Sequence, residues 1–132
     1  MTDQLMTIRE MCDSFDVTPR ALRFYEAKEL LSPIREGTRR LFTKADRARL
    51  TLILRGKRFG FSLEEIRQLL DLYEGGKGRK KQLARTCEVA EKHLEEMRGR
   101  REALDAAIRE LEEQLDWGRK ELARQETRAS AA

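Results

Sequence analysis

Apolar residues follow two different rules along this chain, and the change of rule divides it. Up to about residue 75 they come in short clusters, each opened by a residue able to cap a helix and closed by a turn signal. From Leu83 onward they recur at alternating steps of four and three: Leu83, Cys87, Ala90, Leu94, Met97, Arg101, Leu104, Ile108, Leu111, Leu115, Gly118 and Leu122, apolar at 10 of 12 positions. Neither proline nor a turn cluster interrupts Lys81 to Arg124. That period draws a seam along one side of an α-helix and predicts a coiled coil. Such a helix is about 60 Å long at about 1.5 Å per residue, and the rest of the chain offers little to cover its stripe. It is therefore expected to pair with a second copy as a homodimer, with Leu83, Cys87, Leu94, Met97, Leu104, Ile108, Leu111 and Leu115 in the interface. A hairpin folded back near Gly99 or Gly118 is the alternative, but Gly99 lies off the seam and has no turn residue beside it.

In the first part, three helix starts share one chemistry, a hydroxyl residue followed three positions later by a carboxylate: Thr7 with Glu10, Thr43 with Asp46, Ser62 with Glu65. The hydroxyl can accept from an orphaned first-turn N–H while the carboxylate reaches back to the cap. A fourth start is Thr18-Pro19, since proline at the first helical position loses no hydrogen bond. These signals predict helices from Ile8 to about Ser14, from Pro19 to about Ala27, from Ala45 to about Arg55 ending at Gly56, and from Leu63 to Leu72. The first two, joined by Phe15-Asp16-Val17, make a helix-turn-helix with Ile8, Met11, Val17, Leu22 and either Tyr25 or Phe24 as its small core. Ile34 to Phe42 reads as a two-stranded wing turning at Glu36-Gly37. The glycine run after Glu74 reads as a helix stop and hinge. A phosphate-binding loop would need a preceding strand and a Gly-Lys-Ser/Thr ending, and both are missing. The expected organisation is mainly α: a winged helix-turn-helix domain over residues 1–75, a hinge at 76–80, a dimerisation helix over 81–125, and a disordered tail at 126–132.

Charge gives this scaffold a candidate partner. The net +4 is uneven: residues 1–60 carry 13 Lys/Arg against 8 Asp/Glu, and between Arg35 and Arg58 nine cations face only Glu36 and Asp46. Such a footprint points first to nucleic acid, with a solvated face as the alternative. Composition narrows the rest. Charged residues are 39% of the chain and no apolar run approaches the roughly 18 residues of a membrane span, so no membrane partner and a cytoplasmic, nucleoid-associated location are expected. One histidine, His93, and two distant cysteines, Cys12 and Cys87, assemble neither a nucleophile with its base nor a metal cluster. No enzyme activity, cofactor or metal is expected.

Thr7-Ile8-Arg9-Glu10, the run Val17-Thr-Pro-Arg-Ala-Leu-Arg-Phe-Tyr-Glu26, Leu30-Leu-Ser-Pro33, Arg40-Leu-Phe42 and Gly60-Phe-Ser-Leu-Glu-Glu-Ile66 together resemble the MerR family of bacterial transcriptional regulators, in its small form without a separate effector-binding domain. The resemblance covers most of residues 7–72. Asp16 and Glu29 depart from it, standing where the family often has glycine, as does Phe42, where tyrosine is common. The resemblance implies a winged-helix protein with an antiparallel dimerisation helix. Such a dimer binds a pseudo-palindromic element of double-stranded promoter DNA between the −35 and −10 boxes, and bends and untwists that spacer so that RNA polymerase meets aligned boxes. This is indirect readout, in which phosphate contacts offset the deformation energy.

Read residue by residue, the helix from Pro19 to Ala27 should enter the major groove, where Arg20 and Arg23 offer guanidinium forks and Thr18 and Tyr25 offer hydroxyls to phosphate. Arg39, Arg40 and Lys57 are the candidates for flanking phosphates. The competing readings are an ion pair of Arg23 with Glu26 or Glu10, a core position for Tyr25, and plain solvation of the three flanking cations. Metal-sensing members place cysteines at the start of the dimer helix and in a loop after it, whereas this chain offers Cys87 alone, at a seam position, so no metal site is expected. An unidentified small-molecule effector could lodge between the 74–81 hinge and the partner's helix end near Trp117, although Trp117 equally suits packing beside the seam. The competing function is that of a basic coiled-coil architectural or scaffolding protein without sequence preference.

Overall fold

The computed structural model describes residues 4–131, and all four helix caps read from the sequence are formed in it. The Thr7 hydroxyl accepts from the Glu10 N–H at 3.2 Å while the Glu10 carboxylate accepts from the Thr7 N–H at 3.0 Å. Ser62 and Glu65 reciprocate in the same way at 3.1 and 2.8 Å, as do Thr43 and Asp46 at 3.1 Å each way. Thr18 accepts from the Ala21 N–H at 3.1 Å ahead of Pro19. The resulting helices are α1 (Ile8–Phe15), α2 (Pro19–Ala27), α3 (Lys44–Arg58), α4 (Leu63–Glu74) and α5 (Arg79–Ala131). Between α2 and α3 lie β2 (Ile34–Glu36) and β3 (Arg39–Phe42), joined on the far side of β3 by a two-residue strand β1 (Met6–Thr7) in the antiparallel order β1-β3-β2. β1 has no sequence signal of its own, because two residues carry no period.

Two compact units divide the chain, the first ending at Ala90 and the second beginning at Glu91. In the first, Met11, Leu22, Leu30, Leu31, Phe42, Leu50, Ile53, Ile66 and Leu70 are fully buried. They come from α1, α2, the segment after α2, β3, α3 and α4, so these elements share one core. Each such side chain contributes about 1.5–3 kcal/mol on burial. Tyr25 joins the core at 4% exposure while Phe24 stands 44% exposed, which settles the choice between them. One buried carboxylate ties the elements together. Asp46 accepts from the backbone N–H groups of Thr43 and of Ser32 and from the Thr43 hydroxyl, so the start of α3 is fastened to the chain that follows α2.

Four expectations change. α3 does not end at Gly56 but runs through it to Arg58. Gly56 is buried where α4 crosses, and a Cβ there would lie 2.9 Å from Ile66 Cγ1, so the glycine serves close packing rather than termination. The wing turns at Gly37-Thr38, with Glu36 paired to Arg39, one residue later than read; Gly37 has φ +64°, which glycine adopts without steric cost. The hinge is shorter, since α5 already begins at Arg79. The tail expected to be disordered is helical as far as Ala131, with the Thr127 hydroxyl donating to the Ala123 carbonyl at 2.9 Å. Alanines and long side chains with no glycine or proline after Gly118 let the helix propagate. Residues 1–3 and 132 of the expected domain and tail lie outside the described residues.

Asp16 and Glu29 sit in the left-handed region, at φ 54° and 60°. Both follow helices whose last carbonyls are bonded by the chain turning back, Cys12 by the Val17 N–H and Tyr25 by the Leu30 N–H. The turns require that conformation, and here non-glycine residues supply it at a cost of roughly 1–2 kcal/mol each.

Two substitutions test these assignments by urea unfolding. Gly56→Ala should destabilise by about 1–3 kcal/mol through overpacking against Ile66, although alanine is intrinsically the better helix former, and Ile66→Ala, which removes the Cγ1 that the new methyl meets, should cost less in the Gly56→Ala chain than in the wild type. Glu29→Gly should stabilise by up to about 1 kcal/mol, as relief of the left-handed strain exceeds the added freedom of the unfolded chain.

Candidate nucleic-acid interface

α2 turns Leu22 and Tyr25 into the core and leaves Arg20, Arg23, Phe24 and Ala27 exposed, the spacing of a single outward stripe. Neither Arg20 nor Arg23 has an ion-pair partner among the described residues. The acids that could have claimed Arg23 are occupied: Glu10 accepts from Thr7 and Glu26 holds two other arginines. Thr18 is exposed at the head of the helix with its oxygen engaged as the cap. Tyr25, a candidate for a phosphate through its hydroxyl, takes the core position that was its competing reading. Its ring is buried in the core, so the aromatic side chain that α2 presents is Phe24.

The wing explains what Glu26 is for. Arg35 and Arg40 are direct cross-strand partners on β2 and β3, a placement in which like charges on one face repel. Glu26 of α2 meets both: its carboxylate accepts from Arg40 Nε at 2.5 Å and from Arg35 Nη1 at 3.1 Å. Arg40, singled out from the sequence for a phosphate, is thus engaged inside the fold and half-buried. Other cations of the basic run are engaged as well. Arg47 donates to the Gln4 and Phe42 carbonyls, and Arg49 donates to the Leu30 carbonyl and pairs with Glu74. Arg39, Lys44, Arg55, Lys57 and Arg58 remain exposed without an ion pair among the described residues. Arg55, Lys57 and Arg58 share the last turn of α3, where the helix dipole also favours them. Lys57 reaches α2: with Thr18, Arg20, Phe24 and Tyr25 it lines a cleft of about 370 Å³ floored by Phe61, Leu63 and Ile66. The site therefore combines an arginine stripe, a wing clamped to the same helix, and a cationic helix end beside it.

Along α5, the seam residues Leu83, Cys87, Leu94, Leu104, Ile108, Leu111 and Leu115 are exposed and Met97 is half-buried. Trp117 is exposed near the far end of the same helix. No group of three or more His, Cys, Asp or Glu able to hold a metal occurs among the described residues, nor is any helix of theirs long and apolar enough to cross a membrane.

Two family models match this architecture. One, described as MerR HTH family regulatory protein, matches residues 6–72; the other, described as MerR, DNA binding, matches residues 47–114. The HTH-type transcriptional regulator CueR of Salmonella typhi is 31% identical over 106 residues, spanning 75% of this chain and 76% of that protein. The chain belongs to the MerR family of DNA-binding transcriptional regulators. Another MerR-type relative, the HTH-type transcriptional regulator ZntR of Escherichia coli K12, is 40% identical over 67 residues, 49% of this chain; the match spans about half of that relative's length, 48%. Among solved structures, a MerR family transcriptional regulator from Bacillus cereus superposes with a TM-score of 0.62 at 30% identity, covering 81% of this chain and 79% of that one.

Within this MerR-type fold, electrostatics mark the clamp as a working contact. Partial burial pushes the Glu26 carboxyl up, but the hydrogen bonds and charges of Arg40 and Arg35 outweigh it and hold the group below the ordinary carboxylate range. A carboxylate lowered on folding contributes stability above its unfolded pKa of about 4.3 and loses it as the pH falls through the lowered value. Glu26→Gln should therefore cost about 1–2 kcal/mol of unfolding free energy at neutral pH. Urea titrations of both proteins at a series of pH values should show that gap shrinking below the ordinary glutamate range and staying constant above it.

Proposed function

We propose that this protein acts as a homodimer, paired antiparallel through residues 83–122 of α5, on a pseudo-palindromic element in the spacer of a bacterial promoter, and that it bends and untwists the spacer so that RNA polymerase engages both boxes. The observation that carries this reading is the uncovered apolar stripe of α5, on which Leu104 is 61% and Leu111 68% exposed. A stripe at heptad spacing finds its complement in the same stripe of a second chain. A two-fold pair of winged helices then meets DNA with two recognition helices at fixed separation, and inverted half-sites match that symmetry. Arg20 and Arg23 read base edges; Thr18, Arg39 and Lys57 hold phosphates; Arg40 holds the wing. Family membership and the basic face of the winged helix support the DNA partner.

Leu104→Glu should convert a dimer at micromolar concentration to monomer in sedimentation, because the pair would bury two unpaired charges. A wild-type chain that sediments only as monomer would overturn the dimer. Arg20→Ala and Arg23→Ala should each cost about 1–3 kcal/mol on the preferred duplex and little on random DNA, whereas Lys57→Ala should weaken all duplexes alike and flatten the salt dependence. Equal affinity of the wild type for every duplex would favour the scaffolding reading instead.

A further inference from the structure

Phe24 is an aromatic ring that the fold leaves partly uncovered on its outer face. It projects from the outward stripe of α2, one helical turn beyond Arg20 and next to Arg23, and is 44% exposed while its neighbour Tyr25 fills the core. Its inner edge meets the Tyr25 ring at 5.8 Å between centroids, and the Lys28 ammonium lies 5.7 Å from its centroid. Those contacts fix the ring's position without covering its outer side. Arg20 and Phe24 border the same cleft, so a groove that admits one side chain meets the other. A phenyl ring has no hydroxyl for a phosphate and no donor or acceptor for a base edge. In the major groove the one feature it can recognise is apolar, and the bases present one apolar group there, the C5-methyl of thymine.

We infer that Phe24 is a specificity-determining residue whose exposed ring takes a thymine methyl group in the major groove, close to the base pair read by Arg20. The inference rests on the DNA-reading role proposed above for α2. Four residues along a helix advance about 6 Å, and successive base pairs rise about 3.4 Å. The thymine therefore lies within about two base steps of the pair that Arg20 contacts. Lys28, held near the ring, keeps a cation beside the adjoining backbone, so the apolar contact is made in a position already fixed by charge.

The test uses the full chain. A preferred duplex is selected from a random pool, and each thymine in it is then replaced singly by deoxyuridine, which removes the methyl group and nothing else. Wild-type affinity should fall about fourfold at one thymine of each half-site, the effect of one buried methyl group, and stay level at the others. Phe24→Ala should bind the thymine and uracil duplexes equally at that position, and Phe24→Leu, which keeps an apolar tip, should retain part of the difference. Because the ring is only partly covered, both variants should stay folded under the binding conditions, Phe24→Ala with a modestly lowered urea midpoint. If Phe24→Ala keeps the wild-type thymine-to-uracil ratio, or weakens random and selected duplexes by the same factor, the ring touches backbone and the inference is overturned. A pool that yields no preferred sequence overturns the DNA-reading role itself, an outcome distinct from a preferred sequence insensitive to every methyl.

Discussion

One carboxylate joins the wing to α2. Arg35 and Arg40 face each other across the wing, and two guanidinium groups so placed disfavour a three-residue strand pairing. Glu26 lies on α2 and satisfies both, so docking on α2 relieves the repulsion across the wing. Glu26 thus ties α2 to the wing, whose outer strand buries nothing: all three residues of β2 are exposed, and a hairpin of this size has marginal stability by itself. For the proposed binding, in which α2 enters a groove while the wing meets the flanking backbone, this tie matters, since a wing free to swing would lose ordering entropy on every encounter with DNA.

The remainder of the domain supports α2 and the wing with few residues. α1 and α2 are short and are held by caps and by Met11 and Leu22, while Asp46 joins the segment after α2 to the first turn of α3. The turn that releases the chain from α2 is strained at Glu29, and that same turn carries the chain back to the wing whose arginines Glu26 holds. Cations that a count would assign to DNA are spent within this frame: Arg47 donates to the Gln4 and Phe42 carbonyls and Arg49 to that of Leu30. The cationic set that remains is smaller: it comprises the arginines of α2, Arg39 on the wing, and Lys44 and the last turn of α3.

What could be read from the sequence was local. Caps fall within three residues of one another, so Thr7, Thr18, Thr43 and Ser62 announced α1 to α4, and the heptad announced α5. The left-handed positions were visible as Asp16 and Glu29 replacing glycine. What could not be read depends on pairs distant in sequence. Nothing in the run around Arg40 shows that Glu26, 14 residues earlier, has claimed it. Gly56 looks like a helix stop until Ile66 is seen against it. Phe24 and Tyr25 are adjacent aromatics, and only the rotation of α2 on its core decides which one faces out. The extent of α5 was underestimated for the opposite reason: small polar residues after Glu126 resembled a tail, while no breaker stops the helix.

If Glu26 and Arg40 act as one clamp, their effects on DNA binding must be coupled. A double-mutant cycle on the selected duplex, with Glu26→Gln, Arg40→Met and the two together, measures this directly. The account predicts that each single variant lowers affinity and that the double variant loses little more than either, because both remove the same docked wing. Losses that add, with Arg40→Met weakening binding as strongly when Glu26 is already gone, would mean that Arg40 contacts DNA on its own, and the clamp would not be what holds the reading surface together.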